Sequence, residues 1–334
     1  MTNDLAAITC FFSYARNSYA IKRYKEFRAN LRRQGVTLYT IELAFNDEPF
    51  LLRDWDGWGA DTSGVYLRYR SDTVLWHKEA LLNSLVKRLP PRIKKIAWLD
   101  SDIFIHDDNW ASKVSNLLDE YRLLQIGSTY RFLKESNLDS GVFDETECRP
   151  FKTMGYGFQN DKGNRHDFKK YHVGLAWAAS RDFFNKVGLF DHDPTGAGDL
   201  ITYYSSAGLM DHPSTSWWTK DIYAENCESI MPLVNKYSAK AYEYVQGSIG
   251  YLDADVVHRY HGPMSRRGYL SRLDLLKGID YDKHLERDKN ELLKWKENRK
   301  GMNKPFEIFF NSKDNHEVKG VSYAGIDKNY EYIT

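Results

Sequence analysis

The sequence predicts an α/β protein with a mostly parallel central sheet, helices on both of its faces, and a basic, helical C-terminal extension. Three observations predict it. Apolar stretches of strand and helix periodicity alternate from residue 5 to residue 128, the pattern of β-α units that build a parallel sheet. A hydrophobic strand, Lys95-Ile96-Ala97-Trp98-Leu99-Asp100-Ser101-Asp102-Ile103-Phe104-Ile105, carries two acids one residue apart. Residues 258 to 304 hold 13 Lys/Arg against 7 Asp/Glu, in stretches near 269–278 and 284–299 that read as helices.

Residues 5–14 (LAAITCFFSY) form the first strand, and 18–34 place Tyr24, Phe27 and Leu31 at helical spacing before Gly35 stops the helix. Residues 37–45 and 65–70 alternate as strands do, with an acidic, Gly- and Trp-containing loop between them. Residues 74–89 put Leu75, Leu82, Leu85 and Leu89 on one stripe, and Pro90-Pro91 end that helix. The two-acid strand follows, then a helix capped by Asn109 and running to about Tyr121, then a strand over 122–128. Residues 130–170 are polar and Gly-rich and read as a mobile flap. Order resumes with a strand over 172–180, a helix around Arg181–Lys186, and the turn Gly188-Leu189-Phe190-Asp191. After Pro194-Thr195-Gly196-Ala197-Gly198-Asp199 comes another helix, and 255–262 is a strand entering a loop with two histidines. The last thirty residues read as peripheral. The expected division is a catalytic domain over 1–265, its halves meeting near 128/129, and an extension over 266–334.

With 42% hydrophobic residues the 334-residue chain has material for a sizeable core, and 23 Tyr and 9 Trp are more than packing usually takes, so some aromatics should line a groove. A balance of 47 basic and 46 acidic residues gives no overall field for or against a polyanion. Cys10, Cys148 and Cys227 match no zinc or redox spacing and read as reduced thiols of a cytoplasmic protein. The N-terminus lacks a basic n-region, and no segment has the length needed to cross a membrane.

Asp100 and Asp102, two apart in a strand, point the same way and can converge on one hard cation that itself holds a diphosphate. An Asp-x-Asp by itself usually sits on a solvated loop. Here the flanking apolar residues place it at the carboxyl end of a parallel strand, the edge where such sheets bind ligands. His258, with His261 as the second choice, would complete a carboxylate-carboxylate-imidazole set suited to manganese or magnesium; either is otherwise an ordinary packed histidine. Arg266 and Arg267, with Arg272 a turn further on, are forked donors for a diphosphate or else a solvated helix end. Lys78 and Glu79 read as a surface ion pair on these grounds alone. Asp199, after Gly196-Ala197-Gly198, is either a helix N-cap or a general base for an incoming hydroxyl.

Taken together, WLDSDIFI, HVGLAWAA followed by GLFD and GAGD, and VVHRYHG resemble the glycosyltransferases of the GT-A (Rossmann-like) fold over roughly residues 5–280. VLWHKEALLNSLVKRLP, IAWLDSDIFIHDDNW and HRYHGPMSRRGYLSRLDLLKGIDYD are similar to a bacterial and phage group of such transferases. The resemblance implies that Asp100 and Asp102 hold Mn2+ or Mg2+ on the diphosphate of a nucleoside diphosphate sugar, a UDP-sugar above others, with His258 as the C-terminal ligand. It implies Lys78 and Arg267 as diphosphate contacts, Phe12, Ser13, Tyr14 and Arg16 bordering base and ribose, and Asp199 as the base. Met264 stands where the group has a basic residue, and GAGD lacks the adjacent acid of many inverting members, which leaves the stereochemistry open.

The expected activity is sugar transfer to a hydroxyl. A hydroxymethylated pyrimidine in phage DNA is one acceptor, with the basic 258–304 segment tracking phosphates; polysaccharide or lipid-linked glycan is the alternative. Nucleotidyl transfer lacks its Gly-rich phosphate loop here. A non-catalytic carbohydrate- or nucleic-acid-binding module would have no use for both acids, both histidines and Asp199.

Overall fold

The computed structural model describes residues 4–52, 64–133, 149–212, 215, 225–260 and 271–314. In chain order its strands are β1 (Leu5–Phe11), β2 (Leu38–Phe45), β3 (Gly64–Ser71), β4 (Lys95–Leu99), β5 (Ile103–Ile105), β6 (Leu123–Ile126), β7 (Thr129–Phe132), β8 (Arg149–Thr153), β9 (Tyr171–His172), β10 (Ala176–Ser180), β11 (Ile249–Leu252), β12 (Asp255–His258), β13 (Leu285–Arg287) and β14 (Leu293–Trp295). The main helices are α1 (Ser18–Arg33), α2 (Lys78–Arg88), α3 (Trp110–Leu117), α4 (Met154–Asn160), α5 (Arg181–Lys186), α6 (Gly198–Ala207), α7 (Met231–Val245) and α8 (Asn303–Asp314).

Seven strands form the central sheet in the order β11-β6-β10-β4-β1-β2-β3. All its pairings are parallel except those of β10, which runs antiparallel to both β4 and β6. Strand alternation divides the core: β1 sends Ala6 and Ile8 to one face and Leu5, Ala7 and Phe11 to the other. Residues Leu81, Leu82 and Leu85 of α2, Phe183 of α5, Ile201 of α6 and Tyr237 of α7 cover the first face. On the second face lie Tyr24, Phe27 and Leu31 of α1 and Trp110 and Val114 of α3. The fold class expected from the sequence is thus the one observed, a mixed α/β protein with helices on both faces of a mostly parallel sheet.

A second sheet, β5-β12-β7-β8-β9, corrects two expectations. The acids do not project from one continuous strand: β4 ends at Leu99, residues 100–102 turn, and Ile103 begins β5 in this other sheet. The flap expected over 130–170 is partly regular, with β7, β8 and α4 up to residue 160 and turns over 161–170 that lead into β9; residues 134–148 lie outside the described residues. Gln125, fully buried, secures this region, since its side-chain oxygen accepts from the Gly155 amide at 2.7 Å and its amide donates to the His172 carbonyl at 3.0 Å.

The C-terminal part also differs from expectation. Residues 271–276 form a single 3-10 stretch, and 285–295 is a hairpin of β13 and β14 rather than a helix over 284–299. Asp288 accounts for the hairpin: its carboxylate accepts from the amides of Asn290 and Leu292, closing a turn in which Glu291 adopts φ +65°. The segment just beyond is not peripheral, because Phe306, Phe309 and Phe310 are buried in the main core. Phe310 stacks on Tyr14 at 4.5 Å, and the Asn303 side chain accepts from the Val74 amide at 2.7 Å. Phe310→Ala is therefore expected to destabilise the protein by about 3–5 kcal/mol, measured by denaturant unfolding; a loss below about 1 kcal/mol would mean that α8 is not part of the core.

Candidate active site

The carboxyl ends of β1, β2 and β4 open on one edge of the central sheet, and most of the candidate residues gather there. At the end of β4 the Asp100 amide donates to the Leu175 carbonyl at 2.8 Å, so the turn begins while still tied to the β10 side. The Lys78 ammonium meets Asp100 Oδ1 at 2.5 Å. The helix expected from residue 74 starts only at Lys78, because the Trp76 amide is taken by the Pro194 carbonyl at 2.9 Å and the Val74 amide by Asn303. Lys78 thus sits in the first turn, where the helix dipole disfavours a cation. Burial also works against its charge, but Asp100, Asp199 and Glu79 outweigh burial and hold its pKa above the ordinary lysine value.

Asp102 and His258 come together through the second sheet. His258 pairs with Ile103 in the β5/β12 ladder, and the Arg259 amide continues that ladder by donating to the Asp102 carbonyl at 2.9 Å. This register sets His258 Nε2 3.5 Å from Asp102 Oδ2. Arg259 is held from behind by Glu26 of α1 at 2.5 Å, and the His258 ring rests on Phe132 at 4.9 Å. Among the described residues no three His, Cys, Asp or Glu side chains converge as a ready-made metal cluster; Asp100 is turned to Lys78 while Asp102 and His258 form a pair. His261, Arg266 and Arg267 lie outside the described residues.

Asp199 occupies the second position of α6, and Ala197, not Asp199, is the N-cap. Its Oδ1 accepts from the Leu200 amide at 2.8 Å, and its Oδ2 faces Gly174, where an added Cβ would lie 3.1 Å away. The same Cβ would lie 3.3 Å from the His172 ring, so a side chain at 174 would crowd both carboxylate and imidazole. Leu175, next along, is held at φ +80°, a conformation that a bulky residue adopts only under constraint from its surroundings. Lys78, Glu79, Asp199, Trp98, Trp177 and Tyr203 share the lining of one small cavity.

The predicted base-side residues are more committed than their sequence suggested. Both faces of the Tyr14 ring are covered, by Phe45 at 4.9 Å and by Phe310, and Phe12 packs edge-on against Tyr14 and Trp76. Arg16, at φ +55°, donates to the Pro49 carbonyl and pairs with Glu48 at 3.1 Å. Ser13, Tyr14 and Arg16 still border a second pocket, together with Asn46, Glu307 and Asn311. Sequence reasoning missed Asp193. Its buried carboxylate accepts from the Thr195 amide and hydroxyl, both at 2.6 Å, and from the Gly196 and Ala197 amides, and so shapes the turn that delivers Asp199. Its signal was an Asp two residues before Thr at a Gly-rich turn. His172 was also missed; its signal was the Gly two residues later.

No protein-family model matches the chain, and no curated protein does. Among solved structures the chain is similar to a mutant of Drosophila beta1,4galactosyltransferase 7 in complex with manganese, UDP-Gal and xylobiose, at 15% identity, over 60% of this chain and 59% of that one, with a TM-score of 0.30. It is similar to a putative glucose-1-phosphate thymidylyltransferase from Bacillus anthracis, at 10% identity over 83% and 99% of the two chains, TM-score 0.32. A glycosyltransferase involved in glycosylation of the major capsid of PBCV-1 matches at 12% identity over 82% and 99%, TM-score 0.27. The chain spans less than two thirds of the length of the galactosyltransferase structures it matches.

Proposed function

We propose that this chain is a metal-dependent glycosyltransferase that moves a sugar from a nucleoside diphosphate sugar, a UDP-sugar above others, to a hydroxyl acceptor. One observation carries the reading: Lys78 touches Asp100 at the end of β4 and shares a cavity with Asp199 at the start of α6. A carboxylate on the nucleotide-binding edge and a carboxylate suited to proton abstraction therefore flank a single buried cation.

In the proposed reaction the acceptor oxygen bonds to the anomeric carbon, the bond from that carbon to the diphosphate oxygen breaks, and the hydroxyl proton passes to Asp199 Oδ2. Its Oδ1 is already engaged by the Leu200 amide, which orients the free oxygen. Lys78 balances the acids so that an anionic donor can enter. The oxygen-nitrogen donor set of Asp102 and His258, 3.5 Å apart, suits Mn2+ or Mg2+, and Asp100 would join it by turning from Lys78. A metal bound there supplies positive charge for the departing diphosphate. Arg266 and Arg267 remain the proposed forked donors to it, and His261 the second choice of ligand. The part over 1–265 is the proposed catalytic domain.

For the acceptor we favour a glycan hydroxyl over DNA. Part of the basic segment is engaged in place, Lys277 with Asp274, Lys283 with Asp280, Arg287 with Asp191 and Lys294 with Glu286. Labelled nucleoside diphosphate sugars, incubated with manganese and a panel of glycans, lipid-linked glycans, and plain and hydroxymethylated DNA, test the reading. Transfer to at least one acceptor is expected. Neither transfer nor donor hydrolysis from any donor would remove it, and transfer confined to hydroxymethylated DNA would restore the DNA acceptor.

A further inference from the structure

Just before and within the first turn of α2 are two residues that the reaction as drawn does not use. The Trp76 ring lies against Gly196, where an added Cβ would sit 2.9 Å from the indole, and Gly196 itself has φ +101°. Trp76 Nε1 donates to Glu79 Oε2 at 3.0 Å. The Glu79 carboxyl in turn packs on Gly198, where an added Cβ would lie 2.6 Å from its Cδ and equally close to the Phe190 carbonyl. Indole and carboxyl thus occupy the space that side chains at 196 and 198 would take, and the next residue is Asp199. Glu79 is only 5% exposed, which is far more protection than a surface ion pair has.

We propose that Glu79, held by Trp76 and packed on Gly198, is the positioning residue of this site: it fixes the 196–199 turn that delivers Asp199. The proposal rests on Asp199 being the base. The Trp76 donor engages Glu79 Oε2. Facing Glu79 electrostatically are Lys78 on its own helix, Asp193 and Asp199 on the turn, Cys10 on β1 and Tyr237 on α7. Burial is the largest influence, and Asp199 and Asp193 add to it against Lys78, raising the Glu79 pKa to about 8. Below that pH Glu79 is neutral. Above it Glu79 carries a buried negative charge, which weakens its packing on the turn.

The test is the pH dependence of kcat and KM for the wild type, Glu79→Gln, Glu79→Ala and Asp199→Asn, with infrared difference spectra at neutral pH. Wild-type kcat is expected to fall with an alkaline limb near about pH 8. Glu79→Gln keeps the shape and the Trp76 hydrogen bond, so it should lose that limb while kcat stays within about tenfold, and Glu79→Ala should lower kcat about 10²-fold with the donor KM changed less than about threefold. A protonated-carboxyl band should be present in the wild type and absent in Glu79→Gln. Wild-type kcat in Glu79→Ala, an unchanged alkaline limb in Glu79→Gln, or no such band would each overturn the proposal. Normal turnover by Asp199→Asn would overturn the base assignment instead, a separate result because the Glu79 band does not depend on turnover.

Discussion

Asp199→Asn is expected to lower kcat for sugar transfer by about 10²- to 10⁴-fold, the range contributed by a positioned general base. Nucleoside diphosphate binding should change by less than about twofold. The separation follows from placement. Asp199 enters from α6, with Oδ1 fixed by the Leu200 amide and Oδ2 facing Gly174, whereas the proposed metal and diphosphate contacts come from the turn between β4 and β5, from β12 and from the start of α2. Asparagine fills the same volume but cannot take a proton. Loss of nucleotide binding together with turnover would make Asp199 a donor-site residue, and unaffected turnover would remove it from the mechanism.

Lys78→Met should produce the second large effect, on stability and catalysis at once. The Lys78 side chain is 15% exposed and its partner Asp100 29% exposed. Removing one member of a buried ion pair strands the other, at about 3–5 kcal/mol when both are fully buried. The partial exposure of Asp100 places the expected loss lower, at about 2–3 kcal/mol. Methionine also leaves Asp100 and Asp199 without the cation between them, so donor affinity should fall along with stability, and neither should recover on adding salt. A stability within about 0.5 kcal/mol of wild type, read by denaturant unfolding, would show Lys78 to be a surface residue.

Much of the frame was legible because local periodicity and packing agree. The alternation of Leu5 to Phe11 and the Tyr24-Phe27-Leu31 stripe are the same features that divide the two faces of the core. What could not be read was pairing between distant segments. Asp100 and Asp102 looked like neighbours on one strand, but β10 captures the Asp100 amide while β12 draws Ile103 into another sheet. Nothing within eleven residues of sequence encodes that division. The hairpin over 285–295 was misread for a different reason: Leu285, Leu292 and Trp295 fit a helical face, and the turn chemistry of Asp288 overrides that fit. Helix α7 was not assigned at all, although Val234, Tyr237, Ala241 and Val245 are its buried stripe.

The candidate site shows the same limit. Lys78 meets Asp100 and shares a cavity lining with Asp199, and Asp102 meets His258. Tyr14 and Arg16 border a pocket but are also packed by Phe45, Phe310, Glu48 and Pro49, partners whose proximity depends on the docking of α8 and on the turn after β2. Glu79 was dismissed as half of a surface pair because burial of a carboxylate is not visible in a helical repeat.

The most direct measurement is calorimetric titration of nucleoside diphosphates and their sugars into the wild type and Asp102→Ala, with and without manganese. Tight binding to the wild type that requires manganese and is lost in Asp102→Ala is the predicted result. Equal binding by both proteins, or binding indifferent to the metal, would contradict the account.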